Sequence, residues 1–207
     1  MQFKETLEAE MAAYGVTLSK ETVDGLARYY ELLTHWNSRL HLVSFRLPEE
    51  FATRHVLESL VLLKYLPPGA RVADVGSGGG LPIIPCLIAR ADLQAMLVES
   101  SKKKAVFLRE VLREIETKER SQVIVDRFEN IPTPEVDLVT CRALERFEAM
   151  FPLLMKWAPS PSTLLLFGGA GLGDVVEKLG LPSERILLPN STGRFLFAIK
   201  KSNASLP

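Results

Sequence analysis

A glycine-rich segment and an acid that follows it carry the chemistry of this chain. Residues 76–80 read Gly-Ser-Gly-Gly-Gly, directly after the apolar run Arg71–Val75, and Glu99 ends the next apolar run. Glycine lets the backbone take positive φ and approach a ligand closely. In the first β–α–β unit of a nucleotide-binding sheet, an acid about 20 residues after the glycines reaches the ribose hydroxyls. The spacing therefore predicts a site for a ligand that contains a nucleoside.

Asp74, two residues before the first glycine, discriminates between nucleoside ligands. Dinucleotide sites have the spacing G-x-G-x-x-G and seat a pyrophosphate on a helix N-terminus, whereas the spacing here is G-x-G-G-G. A carboxylate before the loop repels a pyrophosphate but suits a ligand with an ammonium group. The order apolar-x-Asp-apolar-Gly-x-Gly-x-Gly resembles the first motif of class I S-adenosylmethionine (SAM) methyltransferases. SAM is therefore the expected cofactor, and a dinucleotide is the alternative.

The composition is that of an ordinary globular protein, with 207 residues, 47% hydrophobic, 24% charged and a formal net charge of zero. No apolar run approaches the ~20 residues of a membrane span, and the start does not resemble a secretory signal. We therefore expect a cytoplasmic protein. Cys86 and Cys141 lie far apart and only three histidines are present, so neither a disulfide nor a metal site is expected. Residues 102–113 form a local basic patch that is compatible with RNA binding.

Helical and alternating patterns divide the chain into an N-terminal extension over residues 1–66, a Rossmann-like domain over 67–201 and a tail over 202–207. Helices in the extension are predicted over Phe3–Tyr14, over Ser19–Leu40 and from Pro48 onward. Strands are predicted over Arg71–Val75, Gln94–Glu99, Gln122–Asp126, Val136–Cys141, Thr163–Phe167, Arg185–Leu188 and Arg194–Lys200. Helices between them are predicted over Leu81–Arg90, Lys102–Glu116, Phe147–Trp157 and Leu172–Leu179. This order predicts an α/β fold with a doubly wound, mostly parallel sheet and one antiparallel strand in a terminal hairpin.

The carboxyl ends of the predicted strands nominate the site, because ligands of open α/β sheets bind there. The loop at Gly76 and Gly78 would receive the amino-acid part of SAM, and Glu99 would accept hydrogen bonds from its ribose. After strand three, Phe128 would pack on the adenine. After strand four, Arg142 would lie beside the transferred methyl group. Each side chain has a structural alternative, such as a place in the core for Phe128 or a salt bridge for Arg142.

No acid–base pair or nucleophile is evident, so no catalytic residue is predicted. Cys141 raises the possibility of covalent cytosine methylation, but it lacks the usual Pro-Cys context and is expected to be an apolar filler. The three histidines fall in the helical extension and are expected at surface or packing positions: His35, His41 and His55.

Read with the helical extension, these motifs are similar to the glucose-inhibited division protein B family, the RsmG methyltransferases of 16S ribosomal RNA. The resemblance runs from about residue 25 to 200 and is carried by Arg54-His55-x-x-x-Ser59, Gly80-Leu81-Pro82 and the segment 99–109. It implies a class I SAM methyltransferase that forms N7-methylguanine in 16S rRNA of the small ribosomal subunit. We further expect a monomer that binds neither DNA nor a membrane. The expected cofactor contacts are Gly76, Gly78, Leu81, Glu99, Phe128, Glu129 and Arg142.

The chain departs from the family pattern at positions on the expected substrate side. His41 and Val43 replace Asn and Thr, Glu58 replaces Asp, and Gly168 replaces Lys. A methyltransferase for another RNA or a small molecule, and a non-catalytic SAM-binding ribosome assembly factor, are therefore kept as alternatives. Guanine N7 carries an unshared pair and needs no deprotonation, so the missing base fits this chemistry. Candidate phosphate contacts are Arg39, Arg46, Arg54, Lys102, Lys103 and Arg142.

Overall fold

The predicted helical extension is present in a computed structural model, which describes residues 2–142 and 147–202. Helix α1 spans Gln2–Glu10 and runs into a 3₁₀ helix over Met11–Tyr14, and α2 spans Lys20–Leu40. Ser19 caps α2 as predicted, because its hydroxyl accepts the Thr22 N–H at 3.2 Å. A continuous helical segment follows, made of α3 (Pro48–Glu50), a π-helix (Phe51–Leu57), α4 (Glu58–Leu60) and a 3₁₀ helix (Val61–Lys64).

Seven strands form one sheet in the order β3-β2-β1-β4-β5-β7-β6. They are β1 (Arg71–Val75), β2 (Gln94–Val98), β3 (Ser121–Ile124), β4 (Leu138–Cys141), β5 (Ser162–Gly168), β6 (Ser183–Leu187) and β7 (Phe195–Lys201). Strands β1 to β5 are mutually parallel, and β7 runs antiparallel to both of its neighbours. The predicted class I architecture, with one antiparallel strand in a terminal hairpin, is confirmed.

The remaining helices follow the predicted order with shifted ends. They are α5 (Ile83–Ala89), α6 (Lys102–Glu114), α7 (Phe147–Trp157), α8 (Ala170–Lys178) and a 3₁₀ helix over Phe128–Asn130. Strand β3 ends at Ile124, two residues earlier than predicted, and beyond it the Asp126 side chain accepts the Arg127 N–H at 2.7 Å. Within the described ranges, no helix has the length and apolar character that crossing a membrane requires.

The two faces of the sheet build two hydrophobic cores, because side chains alternate along each strand. On β1, Val72 belongs to the core that holds the helical extension, α5 and α6. Ala73 and Val75, whose side chains point to the other face of the sheet, belong to the core under α7 and α8. The extension thus shares a core with the sheet, and the domain boundary at residue 66 stays a prediction. Of the predicted tail, residues 203–207 lie outside the described residues.

Candidate active site

A cavity of about 730 Å³ opens at the carboxyl ends of β1 to β4, within the range of about 300–1,000 Å³ that is usual for ligand pockets. All the residues predicted to contact the cofactor line it: Gly76, Gly78, Leu81, Glu99, Phe128, Glu129 and Arg142. The tertiary structure therefore brings together positions that span more than 60 residues of sequence. Their individual contacts with a ligand remain predictions.

The glycine loop divides into an open half and a packed half. Gly76 and Gly78 have φ values of +70° and +51°, a region that favours glycine. A Cβ added at Gly76 would meet no atom within 4 Å. At Gly79, in contrast, a Cβ would lie 2.8 Å from the Val43 side chain. The open half leaves backbone exposed to a ligand, and the packed half holds the loop in place.

Glu99 joins this loop to the start of α6. Its Oε2 accepts the Gly78 N–H at 2.9 Å, and its Oε1 accepts the Ser101 N–H at 2.7 Å. The residue is only 7% exposed, yet it lines the cavity. A carboxylate oxygen has two lone pairs, so each oxygen keeps one for a further donor. The predicted ribose acceptor is therefore also a clamp on the glycine loop.

Asp74 does not line the cavity wall, in contrast to the expectation of a carboxylate that faces the ligand. It is fully buried, because its side chain points to the covered face of a central strand. Its Oδ1 accepts the Thr140 hydroxyl at 2.8 Å, and its Oδ2 has no hydrogen-bond partner among the described residues. Burial raises the pKa of Asp74 to about 7, because loss of water disfavours the charged form.

His55 lies on the cavity wall and not simply at a surface or packing position. Its Nε2 is 3.2 Å from the Ser44 carbonyl oxygen, so Nε2 carries the proton and donates it. Burial, and then the charge of Arg142, lower the pKa of His55 to about 4. The imidazole is therefore neutral at pH 7. In the sequence, the signal that could have pointed to His55 was its place in the Arg54-His55-x-x-x-Ser59 element.

Arg142 lines the cavity but is held by protein groups. Its Nη2 donates to Glu58 Oε2 at 2.9 Å and to the Arg54 carbonyl oxygen, and its side chain is 18% exposed. The salt-bridge alternative is thus present, and a phosphate contact of Arg142 stays a prediction. Arg54 is also engaged, in an ion pair with Glu50 at 2.6 Å. The other candidates are exposed and form no ion pair within the described part of the chain: Arg39, Arg46, Lys102 and Lys103.

The end of β3 supplies the wall opposite the glycine loop. Phe128 is 4% exposed and meets Trp157 edge-on at 5.6 Å between ring centroids. It belongs to the second core and also lines the cavity, so the core alternative is present and a contact with the adenine stays a prediction. Glu129 also lines the cavity and pairs with Arg127 at 2.9 Å.

The helical extension supports the site in a way that the sequence analysis missed. The buried Tyr29 hydroxyl donates to the Gly79 carbonyl oxygen at 2.6 Å. The side-chain amide of Asn37 pairs with both backbone groups of Val43. Its Nδ2 donates to the Val43 carbonyl oxygen at 2.8 Å, and its Oδ1 accepts the Val43 N–H at 3.0 Å. Leu42 and Val43 then form part of the cavity wall. In the sequence, Tyr29 resembles any apolar position of an amphipathic helix.

Both cysteines lie in hydrophobic cores. Cys141 is 2% exposed and packs in the second hydrophobic core, as expected of an apolar filler. Cys86 is fully buried, and burial raises the pKa of its thiol. Over the described ranges, no three His, Cys, Asp or Glu residues form a group that could hold a metal ion.

Comparison of the sequence with known proteins gives consistent matches. A family model described as rRNA small subunit methyltransferase G (GidB) matches residues 22–178. Ribosomal RNA small subunit methyltransferase G of Nitrosomonas eutropha is 48% identical over 126 residues, which cover 59% of this chain and 58% of that protein. The protein of the same name from Chromobacterium violaceum is 39% identical over 148 residues, which cover 71% and 70%. The first match thus spans less than two thirds of the relative's length.

Comparison of the structure finds methyltransferase folds at low sequence identity. A SAM-dependent methyltransferase from Aquifex aeolicus matches with a TM-score of 0.56 and 14% identity, covering 84% of this chain and 97% of that one. Precorrin-6y C5,15-methyltransferase from Geobacter metallireducens matches with a TM-score of 0.53 and 14% identity, covering 70% and 88%. At such identity these likenesses establish the class I fold alone.

Proposed function

Since the chain belongs to the rRNA small subunit methyltransferase G family, we propose that it transfers the methyl group of SAM to N7 of a guanine in 16S rRNA. The observation that carries this proposal is the single cavity that the predicted cofactor residues line at the carboxyl ends of the strands. The small ribosomal subunit is then the partner. A ribosomal substrate in turn places the protein in the cytoplasm, where we expect it to act as a monomer.

The groups around the cavity fit SAM. Gly76 offers open backbone to the amino-acid part, and the free lone pairs of Glu99 suit the ribose hydroxyls. Phe128 and Glu129 suit the adenine as an apolar face and an acceptor. Asp74 is fully buried and does not line the cavity, so the ammonium group of SAM is not assigned to it.

The reaction requires the site to align guanine N7 with the methyl group and does not require it to abstract a proton. SAM supplies an electrophilic methyl group when it is bound. Guanine N7 presents an unshared pair at its major-groove edge, so no residue has to act as a general base. Well-oriented reactions gain effective molarities of about 10⁵–10⁸ M. The neutral His55 and the fixed Arg142 shape the acceptor side of the cavity without changing their protonation at pH 7.

The surface beside the cavity suits an RNA backbone. Lys104 lines the cavity, and Lys102 and Lys103 are exposed on the same first turn of α6. Helix α2 packs beside α6 through Trp36 and Phe107, whose ring centroids are 6.2 Å apart. Arg46 is exposed on the loop after α2, and Leu42 and Val43 of the same loop line the cavity. A single-stranded or extruded guanine would enter between these basic groups.

Transfer of a tritiated methyl group tests this function directly. The purified protein is given labelled SAM with naked 16S rRNA, with small subunits and with a total small-molecule extract, followed by nucleoside analysis. We expect labelled N7-methylguanine in the rRNA or the subunits. Deletion of the host gene should remove one site of borohydride–aniline cleavage from 16S rRNA. Label in a small metabolite only would overturn the substrate, and SAM binding without transfer would favour an assembly factor.

A further inference from the structure

Glu58 is a buried carboxylate shared by two arginines. Its side chain is 1% exposed, and it lies at the start of α4, directly after the π-helix. Its Oε2 accepts from Arg142 Nη2 at 2.9 Å, and its Oε1 accepts from Arg194 Nε at 2.9 Å. A buried ion is costly unless it is paired and hydrogen-bonded. Each oxygen of Glu58 is therefore matched to one guanidinium, and we name the three residues the Glu58 cluster.

Arg142 is the member of the Glu58 cluster that reaches the cavity. Besides Glu58 it contacts the Arg54 carbonyl oxygen and, at 3.4 Å, the Ser59 hydroxyl. Its guanidinium lies 5.2 Å from the centre of the Phe167 ring. These contacts come from the helical extension and from β5, so the orientation of Arg142 depends on elements far from β4 in sequence.

Arg194 extends the Glu58 cluster to the C-terminal hairpin. It lies directly before β7, and its backbone N–H donates to the Ser191 hydroxyl at 2.8 Å. With two guanidiniums and one carboxylate, the cluster carries one net positive charge. Loss of the carboxylate would leave two positive charges side by side, of which the Arg142 charge is buried. The position of Arg142 is thus conditional on Glu58.

We propose that Glu58 is a positioning residue for methyl transfer, which fixes the orientation of Arg142 on the acceptor side of the cavity while Arg194 pairs with its second oxygen. The proposal rests on the proposed function for its chemistry. The physical reason is that a displacement of about 1 Å in a positioned group can cost about 100-fold in rate. Glu58 does not itself line the cavity and acts through Arg142, which does.

The test is Glu58→Gln, which keeps the shape of the side chain but offers one acceptor oxygen to two arginines. Loss of a charged hydrogen bond corresponds to about 10- to 100-fold in rate, so we expect kcat to fall by this factor, with a much smaller change in the Kd of SAM. Arg194→Met should cost less, since the Glu58–Arg142 pair survives. The double variant should regain activity over Glu58→Gln, because the amide oxygen then serves Arg142 alone. Glu184→Gln, an exposed acid on β6, is the matched control.

A second measurement does not depend on activity. The Nη protons of Arg142, assigned through their loss in Arg142→Lys, should give separate NMR signals in the ¹⁵N-labelled wild-type protein and averaged signals in Glu58→Gln. If wild-type protein methylates nothing, the proposed function fails and these spectra decide the role of Glu58. If Glu58→Gln does not fold, the double variant is compared with Arg194→Met. We then expect the lower kcat in the double variant, because Gln holds Arg142 less firmly than Glu58 does. Unchanged Arg142 signals and unchanged kcat would overturn the proposal.

Discussion

At the scale of single residues, Gly76 and Gly69 form a matched pair. Both have φ of +70°, and an added Cβ at either meets nothing within 4 Å, but only Gly76 lines the cavity. Valine should strain the backbone equally at both positions. We therefore expect similar losses of stability, whereas SAM binding measured by calorimetry should disappear only in Gly76→Val. Tight NAD binding by the wild-type protein without a response to SAM would refute the cofactor assignment.

Glu99 allows a second prediction at the residue scale. Glu99→Ala should weaken SAM binding by roughly 1.5–3 kcal/mol, the range for hydrogen bonds to a charged group. Glu99→Gln should recover little, because both oxygens accept backbone N–H groups and an amide NH₂ would face one of those donors. Calorimetry with Glu119→Ala serves as control, because this exposed acid lies just before β3, at the amino-terminal ends of the parallel strands. Equal affinity in all three variants would place the ribose elsewhere.

At the scale of elements, α2 supports the glycine loop. The Tyr29 hydroxyl is the donor to the Gly79 carbonyl, so Tyr29→Phe leaves a buried acceptor without its partner. We expect SAM affinity to fall by about 0.5–1.5 kcal/mol, while the ring keeps its packing. Tyr30→Phe is the control on the same helix, since that ring stacks on Phe3 at 4.6 Å and lies away from the loop. An identical effect of both variants would assign the change to α2 as a whole.

At the scale of the whole molecule, the zero net charge means that RNA attraction must come from local surface. The affinity for 16S rRNA should fall with salt by about 0.7–0.9 log units per phosphate contact for each tenfold rise. Replacing Lys102, Lys103 and Arg46 by alanine should flatten this slope, with SAM affinity nearly unchanged. Filter binding over a salt series measures it. An unaltered slope would move the RNA to another face of the molecule.

Asp74 links the stability of the whole molecule to pH. Its pKa in the native state, about 7, lies above its ordinary value, so the native state holds the proton more strongly than the unfolded state. Stability without ligand should therefore fall as pH rises from about 4 through about 7. Asp74→Asn removes this dependence, so the Tm of the variant should fall less than that of the wild-type protein between about pH 5 and about pH 8. Each kcal/mol of difference in the free energy of unfolding corresponds to about 2–4 °C in Tm. Parallel Tm profiles would contradict this.

Local patterns in the sequence determined the element order, the sheet type and the position of the candidate site. Strand alternation at Arg71–Val75, the Ser19 cap and the glycine loop are properties of neighbouring residues, and such patterns depend on short-range backbone preferences and burial. The strand-end rule then placed Glu99, Phe128 and Arg142 in one cavity, because parallel strands bring their carboxyl ends to one edge.

Only the tertiary structure decided what those side chains do. Tyr29 reaches the loop across 50 residues, and Glu58 reaches Arg194 across 136, separations that no local pattern encodes. Burial then changed the expected roles: Asp74 is sealed within the sheet, His55 is held neutral on the cavity wall, and Arg142 is paired with Glu58. Hydrogen-bond partners and desolvation depend on which elements pack together, and this is the physical reason that the sequence alone located the site but not its internal arrangement.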